Sequence, residues 1–202
     1  MERPSQQRRA QHAAITHEAI IDAARRLFVE RGYFATTVQD IAKLADLSPA
    51  TVYAVAGGKQ GMITELAKRW ADSSVLGESL RALPTLNVPF EVVRYVAQAS
   101  RAVREQHGDT MRILLATAPS HPQIAQELEA STGRYRGTIR KVAEHLDGLG
   151  VPGGARFIDD VLWFYFGYSG YFTLHDDNDW EYERAQEWLL DRCVEALGVE
   201  RP

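Results

Sequence analysis

The sequence predicts an all-α fold, and three observations carry the prediction. Apolar residues recur at three- and four-residue spacing through most of the chain. Glycine and proline punctuate that pattern closely near the N-terminus and more sparsely beyond it, and no run alternates apolar and polar residues as a half-buried strand would. The pattern resolves into three short helices followed by about six longer ones. At 202 residues, 45% hydrophobic and 25% charged, the chain has the make-up of a globular protein with one large domain or two smaller ones.

Residues 1–14 are polar, contain Pro4 and lack periodicity, which predicts a flexible arm. From Ile15 the pattern turns helical: Ile20, Ala23, Ala24, Leu27 and Phe28 share one face, and Gly32 ends the run. A second helix begins at Thr37, where Thr37 and Asp40 have the spacing of a capping box, and Val38, Ile41 and Ala42 supply its buried face. Asp46 sits where the chain must turn sharply, and aspartate tolerates left-handed backbone better than most residues. Ser48 and Pro49 restart the chain as N-cap and first helical residue. Gly57 and Gly58 break it again before a helix from about Gln60 to Leu83, closed by Pro84. Further helices are expected over roughly 88–106, 109–118, 122–147, 153–175 and 180–197. The domain division that follows is a 15–60 head and a 61–202 body.

Two short helices joined by a tight turn, with Ala42 and Ala45 at their approach and Leu47 and Val52 facing inward, meet the packing needs of a helix-turn-helix. In that motif the second helix enters the major groove by its N-terminal residues, here Ser48, Pro49, Ala50, Thr51 and Tyr53. Small side chains permit close approach, and Thr51 and Tyr53 offer hydroxyls. Thr36 and Thr37 bring hydroxyls and free backbone N–H groups to a helix start suited to phosphate, and Lys59 adds a cation at a comparable place. Charge agrees in sign: residues 1–60 hold eight Lys/Arg against six Asp/Glu, while residues 61–202 hold fifteen against twenty-one.

The stretch Ile20 to Tyr33, followed by Thr36-Thr37-Val38-Gln39-Asp40-Ile41-Ala42 and Leu47-Ser48-Pro49-Ala50-Thr51-Val52-Tyr53, resembles the DNA-binding domain of the TetR (tetracycline repressor) family over about 45 residues. The resemblance implies a homodimeric regulator, usually a repressor, that reads a palindromic double-stranded operator and is released by a small-molecule inducer. With no apolar h-region beside Arg3, Arg8 and Arg9 and no membrane-span run, a cytoplasmic protein is expected, and no cofactor is. Family members often carry an aromatic-rich segment and then Ser-Lys-Glu after the recognition-helix tyrosine. Here the residues are Ala54-Val55-Ala56-Gly57-Gly58-Lys59-Gln60, so the lysine is kept and the aromatic contacts are not.

Residues 157–172 hold eight aromatics in sixteen positions, and they fall on more than one helix face. A helix of that kind is buried on two sides. One side can face its own domain and the other a second copy, with Phe157, Val161, Phe164, Tyr168 and Tyr171 as one stripe and Trp188, Leu189, Arg192, Cys193 and Ala196 from the last helix beside it. Two such helices per subunit make a four-helix, two-fold interface. An apolar ligand pocket is expected among the body helices, with Trp70, Phe90, Tyr95, Met111, Trp163 and Phe166 as walls and Arg112 for polar specificity.

Other functions find less support. Gly148-Leu149-Gly150-Val151-Pro152-Gly153 matches a dinucleotide fingerprint literally but follows a helix, not a strand. His17-Glu18 opens like a zinc-protease motif, yet Ile21 stands where the second histidine belongs, and the lone Cys193 can form neither an internal disulfide nor a multi-cysteine metal site. No metal is therefore expected, and no apolar run approaches the ~18 residues of a membrane span. The alternatives to a DNA-binding regulator are a helical interaction adaptor and, least supported, a helical enzyme.

Overall fold

The structure, a computed structural model, describes residues 4–72 and 81–202. Among these residues every regular element is helical. We label α1 (Pro4–Arg31), α2 (Val38–Leu44), α3 (Pro49–Ala56), α4 (Gly58–Asp72), α5 (Pro89–Thr117), α6 (Pro122–Gly148), α7 (Gly154–Phe166), α8 (Tyr168–Phe172) and α9 (Tyr182–Ala196). The chain divides into two compact units, Met1–Asp72 with Asp109–Glu129, and Ser73–Gly108 with Ala130–Pro202.

In the first unit, Ile20, Ile21, Ala24, Leu27 and Phe28 of α1 are buried, as their spacing requires, and α1 packs against α2, α3 and α4. Each large side chain so buried contributes about 1.5–3 kcal/mol. The unit extends past the expected head boundary at residue 60 because Met62, Ile63, Leu66 and Trp70 of α4 are buried as well. Helix α1 begins at Pro4, where a flexible arm through residue 14 is the sequence expectation. Proline at the first helical position sacrifices no hydrogen bond, and the glutamines, arginines and alanines after it are good helix formers. Residues 11–15 are exposed, in keeping with the lack of amphipathic periodicity there. Residues 1–3 lie outside the described residues, as does part of the helix expected from Gln60 to Leu83.

The second unit has one continuous core, in which Val92, Val93, Tyr135, Ile139, Leu146, Ile158, Leu162, Phe166, Tyr171, Ala185, Leu189 and Cys193 interlock. Two expected helix boundaries differ from those observed. Gly108 does not interrupt α5, which runs unbroken through it; a mid-helix glycine costs about 1 kcal/mol, which a helix of 29 residues can absorb. The expected 153–175 helix does break, at Gly167, whose ψ of −165° is extended. A Cβ there would lie 2.4 Å from the Trp163 carbonyl oxygen, so only glycine fits this corner. The literal Gly148–Gly153 fingerprint is the α6–α7 connection, with Gly150 and Gly153 in left-handed backbone.

Candidate nucleic-acid interface

Helix α2 starts on a reciprocal cap. The Thr37 hydroxyl accepts from the Asp40 N–H at 3.1 Å, while the Thr37 N–H and hydroxyl both donate to the Asp40 carboxylate, at 3.0 and 2.6 Å. Those bonds hold the Asp40 carboxyl below the usual aspartate range, with the hydroxyl the largest cause and the backbone N–H next. The turn out of α2 closes through Ala45 N–H to Ile41 C=O and Leu47 N–H to Ala42 C=O, both 2.9 Å. Asp46 occupies the left-handed region at φ 55°, in agreement with the sequence reading.

Ser48 then caps α3: its hydroxyl accepts from the Thr51 N–H at 3.1 Å and shares a 2.8 Å hydrogen bond with the Thr51 hydroxyl. Val52 and Ala56 are buried, so the opposite face of this helix is the free one. Ser48, Pro49, Ala50 and Tyr53 lie on it, exposed, and Thr51 is half-buried. Gly57, left-handed at φ 65°, ends the helix, and at Gly58 a Cβ would come within 3.0 Å of the Tyr53 ring. The Gly57-Gly58 pair thus lets that ring lie against bare backbone.

Thr36 requires a correction. It is 1% exposed, with its hydroxyl 2.8 Å from the Gly32 carbonyl and 3.2 Å from that of Leu27. A hydroxyl spent on locking the α1–α2 turn has none to offer a phosphate. Lys59 is half-buried over the Tyr33 ring, 4.4 Å from its centroid, and reaches toward the Phe34 carbonyl at 3.5 Å. Burial draws its ammonium pKa down. Tyr33 and Phe34, unassigned in the sequence reading, are therefore what positions this cation; the signal available was an aromatic pair just after the α1-terminating glycine. Lys43, exposed in the last turn of α2, was also passed over.

The remaining expected sites are distributed as follows. Trp70, Met111 and Arg112 belong to the first unit, and Phe90, Tyr95, Trp163 and Phe166 to the second, so no single unit assembles the predicted pocket. Of the pairing stripe, Phe157, Phe164 and Trp188 are exposed at 46, 74 and 44%, Arg192 and Ala196 are exposed, and Val161 and Tyr168 are half-buried. Tyr171, Leu189 and Cys193 are buried within their own unit, which corrects their placement on a pairing face. Tyr171 donates to the Ala97 carbonyl at 3.0 Å, and burial pushes the Cys193 thiol well above its usual range. A groove of about 520 Å³ runs between Trp163, Phe164, Tyr168, Gly170, Trp188 and Leu189. Among the described residues no three His, Cys, Asp or Glu side chains gather as metal ligands, and no helix is long and apolar enough to cross a membrane.

A capped crossing helix, a left-handed turn and a second helix with a small-residue free face define a helix-turn-helix head. The chain matches, over residues 20–66, the family model for bacterial regulatory proteins of the tetR family. It is 28% identical to the HTH-type transcriptional regulator AlkX of Mycobacterium tuberculosis over 56% of this chain and 53% of that protein. The chain thus spans about half the length of that curated relative. The fold matches the TetR family regulator PfmR of Thermus thermophilus (TM-score 0.70, 21% identity, covering 91% of this chain and 96% of that one). It also matches a regulator from Saccharomonospora viridis in complex with choline (TM-score 0.72, 18% identity, 90% and 96% covered).

Proposed function

We propose that this chain is a cytoplasmic, homodimeric repressor that holds a palindromic operator and releases it when a small molecule binds. The observation that carries the reading is the exposed first turn of α3, where Ser48, Pro49 and Ala50 present little bulk and Tyr53 presents a hydroxyl. In docking, that turn meets base edges while Lys43 and Lys59 face phosphates, the Thr37 hydroxyl being committed to Asp40. The uncovered Phe157 and Phe164 of α7 and Trp188 of α9 support pairing with a second copy, since exposed large aromatics are costly to leave in water. That a protein of this fold holds choline supports a small-molecule effector. Two heads joined by a two-fold axis read half-sites about 34–36 Å apart or multiples of that, so a ligand that favours another head spacing releases the operator. Coupling of roughly 1–3 kcal/mol gives about a 5–150-fold change in affinity.

The test is selection of duplex fragments from a random pool by the purified protein, followed by binding at rising salt. A palindromic consensus and affinity that falls steeply with salt are expected. A shallow salt response with no preferred duplex would instead favour the helical adaptor reading.

A further inference from the structure

Arg104 of α5 is the bulkiest fully buried side chain among the described residues, 1% exposed. Its Nη2 donates to the carbonyls of Phe166 and Gly167, at 2.9 and 2.6 Å, where α7 breaks into α8. Its Nη1 reaches the Tyr135 hydroxyl at 3.3 Å and the Ser100 carbonyl at 3.4 Å. The rings of Tyr135, Tyr171 and Tyr168 stand around the guanidinium, with centroids 5.4, 5.5 and 6.0 Å away. Every one of these partners is neutral. The buried Nε donates to nothing, and no carboxylate pairs with the group among the described residues. The nearest acid in sequence, Glu105, is exposed and taken by Arg101 at 2.7 Å.

Arginine cannot shed its proton inside a protein, so the positive charge persists however deeply it is buried. Buried charges normally meet an opposite charge. Capping the broken end of α7 accounts for Nη2 alone; it leaves the idle Nε and the missing counter-charge unexplained. A planar fork with one free donor fits a carboxylate arriving side-on, engaging Nε together with a terminal nitrogen. The surroundings suit an organic body: Tyr135, Phe166 and Tyr171 are buried, and the Trp163 ring stands 5.4 Å from that of Tyr135.

Building on the ligand-release reading above, we infer that the effector is an organic carboxylate whose charge is taken by Arg104. Charge-assisted bonds outcompete those to neutral carbonyls. A bound carboxylate draws Arg104 off Phe166 and Gly167 and frees the corner between α7 and α8. That corner is the two-state element, because Phe164 and Tyr168 flank it.

The test titrates the full chain calorimetrically with hexanoate, decanoate and benzoate, with their primary amides, and with choline. Wild type is expected to bind at least one of the acids ten-fold or more tighter than its amide, and not to bind choline. R104M is expected to lose that binding and R104K to retain a weakened form. Because R104M can fail to fold, the acid-against-amide difference on wild type stands as an independent readout. Failure of all three acids, equal binding of acid and amide or of choline, or undiminished binding by folded R104M overturns the inference. A fragment-retention assay in the same solutions separates the two readings: specific DNA binding without carboxylate binding removes the inference alone. Carboxylate binding that leaves the DNA complex intact keeps the Arg104 site and removes the release mechanism.

Discussion

Three side chains near the interface look interchangeable in sequence and behave differently in the fold. Thr36, Thr37 and Ser48 are all small hydroxyls at helix starts, yet only Thr36 is buried and bonded back to α1. Thr36→Val should lower stability by about 0.5–1.5 kcal/mol through the lost hydrogen bond, while the folded fraction keeps full DNA affinity. Denaturant melts paired with fragment binding check this, and a selective loss of DNA binding would restore Thr36 to the interface. At Asp40 the carboxyl is held below its ordinary value near 3.8 by Thr37, so its contribution to the α2 cap is complete above that pH. That contribution disappears as pH falls through the lower native value. The melting-temperature gap between wild type and Asp40→Ala should therefore be constant at neutral pH and close in acid. Residue chemistry was legible wherever it acts locally, as in both caps and Asp46. It was not legible at Thr36, whose partners arrive only once Gly32, at φ 81°, has turned the chain.

Helix junctions carry the fine positioning. Gly61 sits in α4 where a Cβ would fall 2.0 Å from the Ala56 carbonyl oxygen, so the end of α3 and the start of α4 touch backbone to backbone. Gly61→Ala should push them apart, costing about 1–3 kcal/mol as overpacking does, and should weaken DNA binding in molecules that still fold, because Tyr53 and Lys59 flank this junction. Thermal melts and DNA titration read the two effects separately. Retained affinity in a fully folded Gly61→Ala protein would show that the junction does not set the interface. At this scale the sequence was a good guide where caps and glycine coincide, as at α2 and α3. It was a poor one where a lone glycine had to be weighed against tertiary contacts. Gly108 and Gly167 look alike in sequence, but only Gly167 turns a corner, because Arg104 donates to the carbonyls freed there.

For the whole molecule, an aromatic-rich helix revealed that two surfaces must be satisfied without revealing which ring goes where. Tyr171 goes to the core because the break at Gly167 takes α8 out of the register of α7, whereas Phe164, before the break, stays exposed and Cys193 of α9 is buried in the same core. In the proposed dimer, pairing therefore falls to few side chains. If the proposed dimer forms, Phe164→Glu is expected to convert it to monomer in sedimentation and to lower affinity for a two-half-site duplex at least ten-fold, with helix content unchanged. A mutant that still sediments as a dimer moves the interface elsewhere.

Cys193 is the chain's one cysteine and is sealed on the inner face of α9 in the second unit. No alkylating reagent can reach it until that unit opens, so its rate of modification times an event that circular dichroism averages away. The sulfur thus serves as an internal clock for the body helices, readable by mass spectrometry in crude extract. An effector that tightens them should slow it without any DNA present.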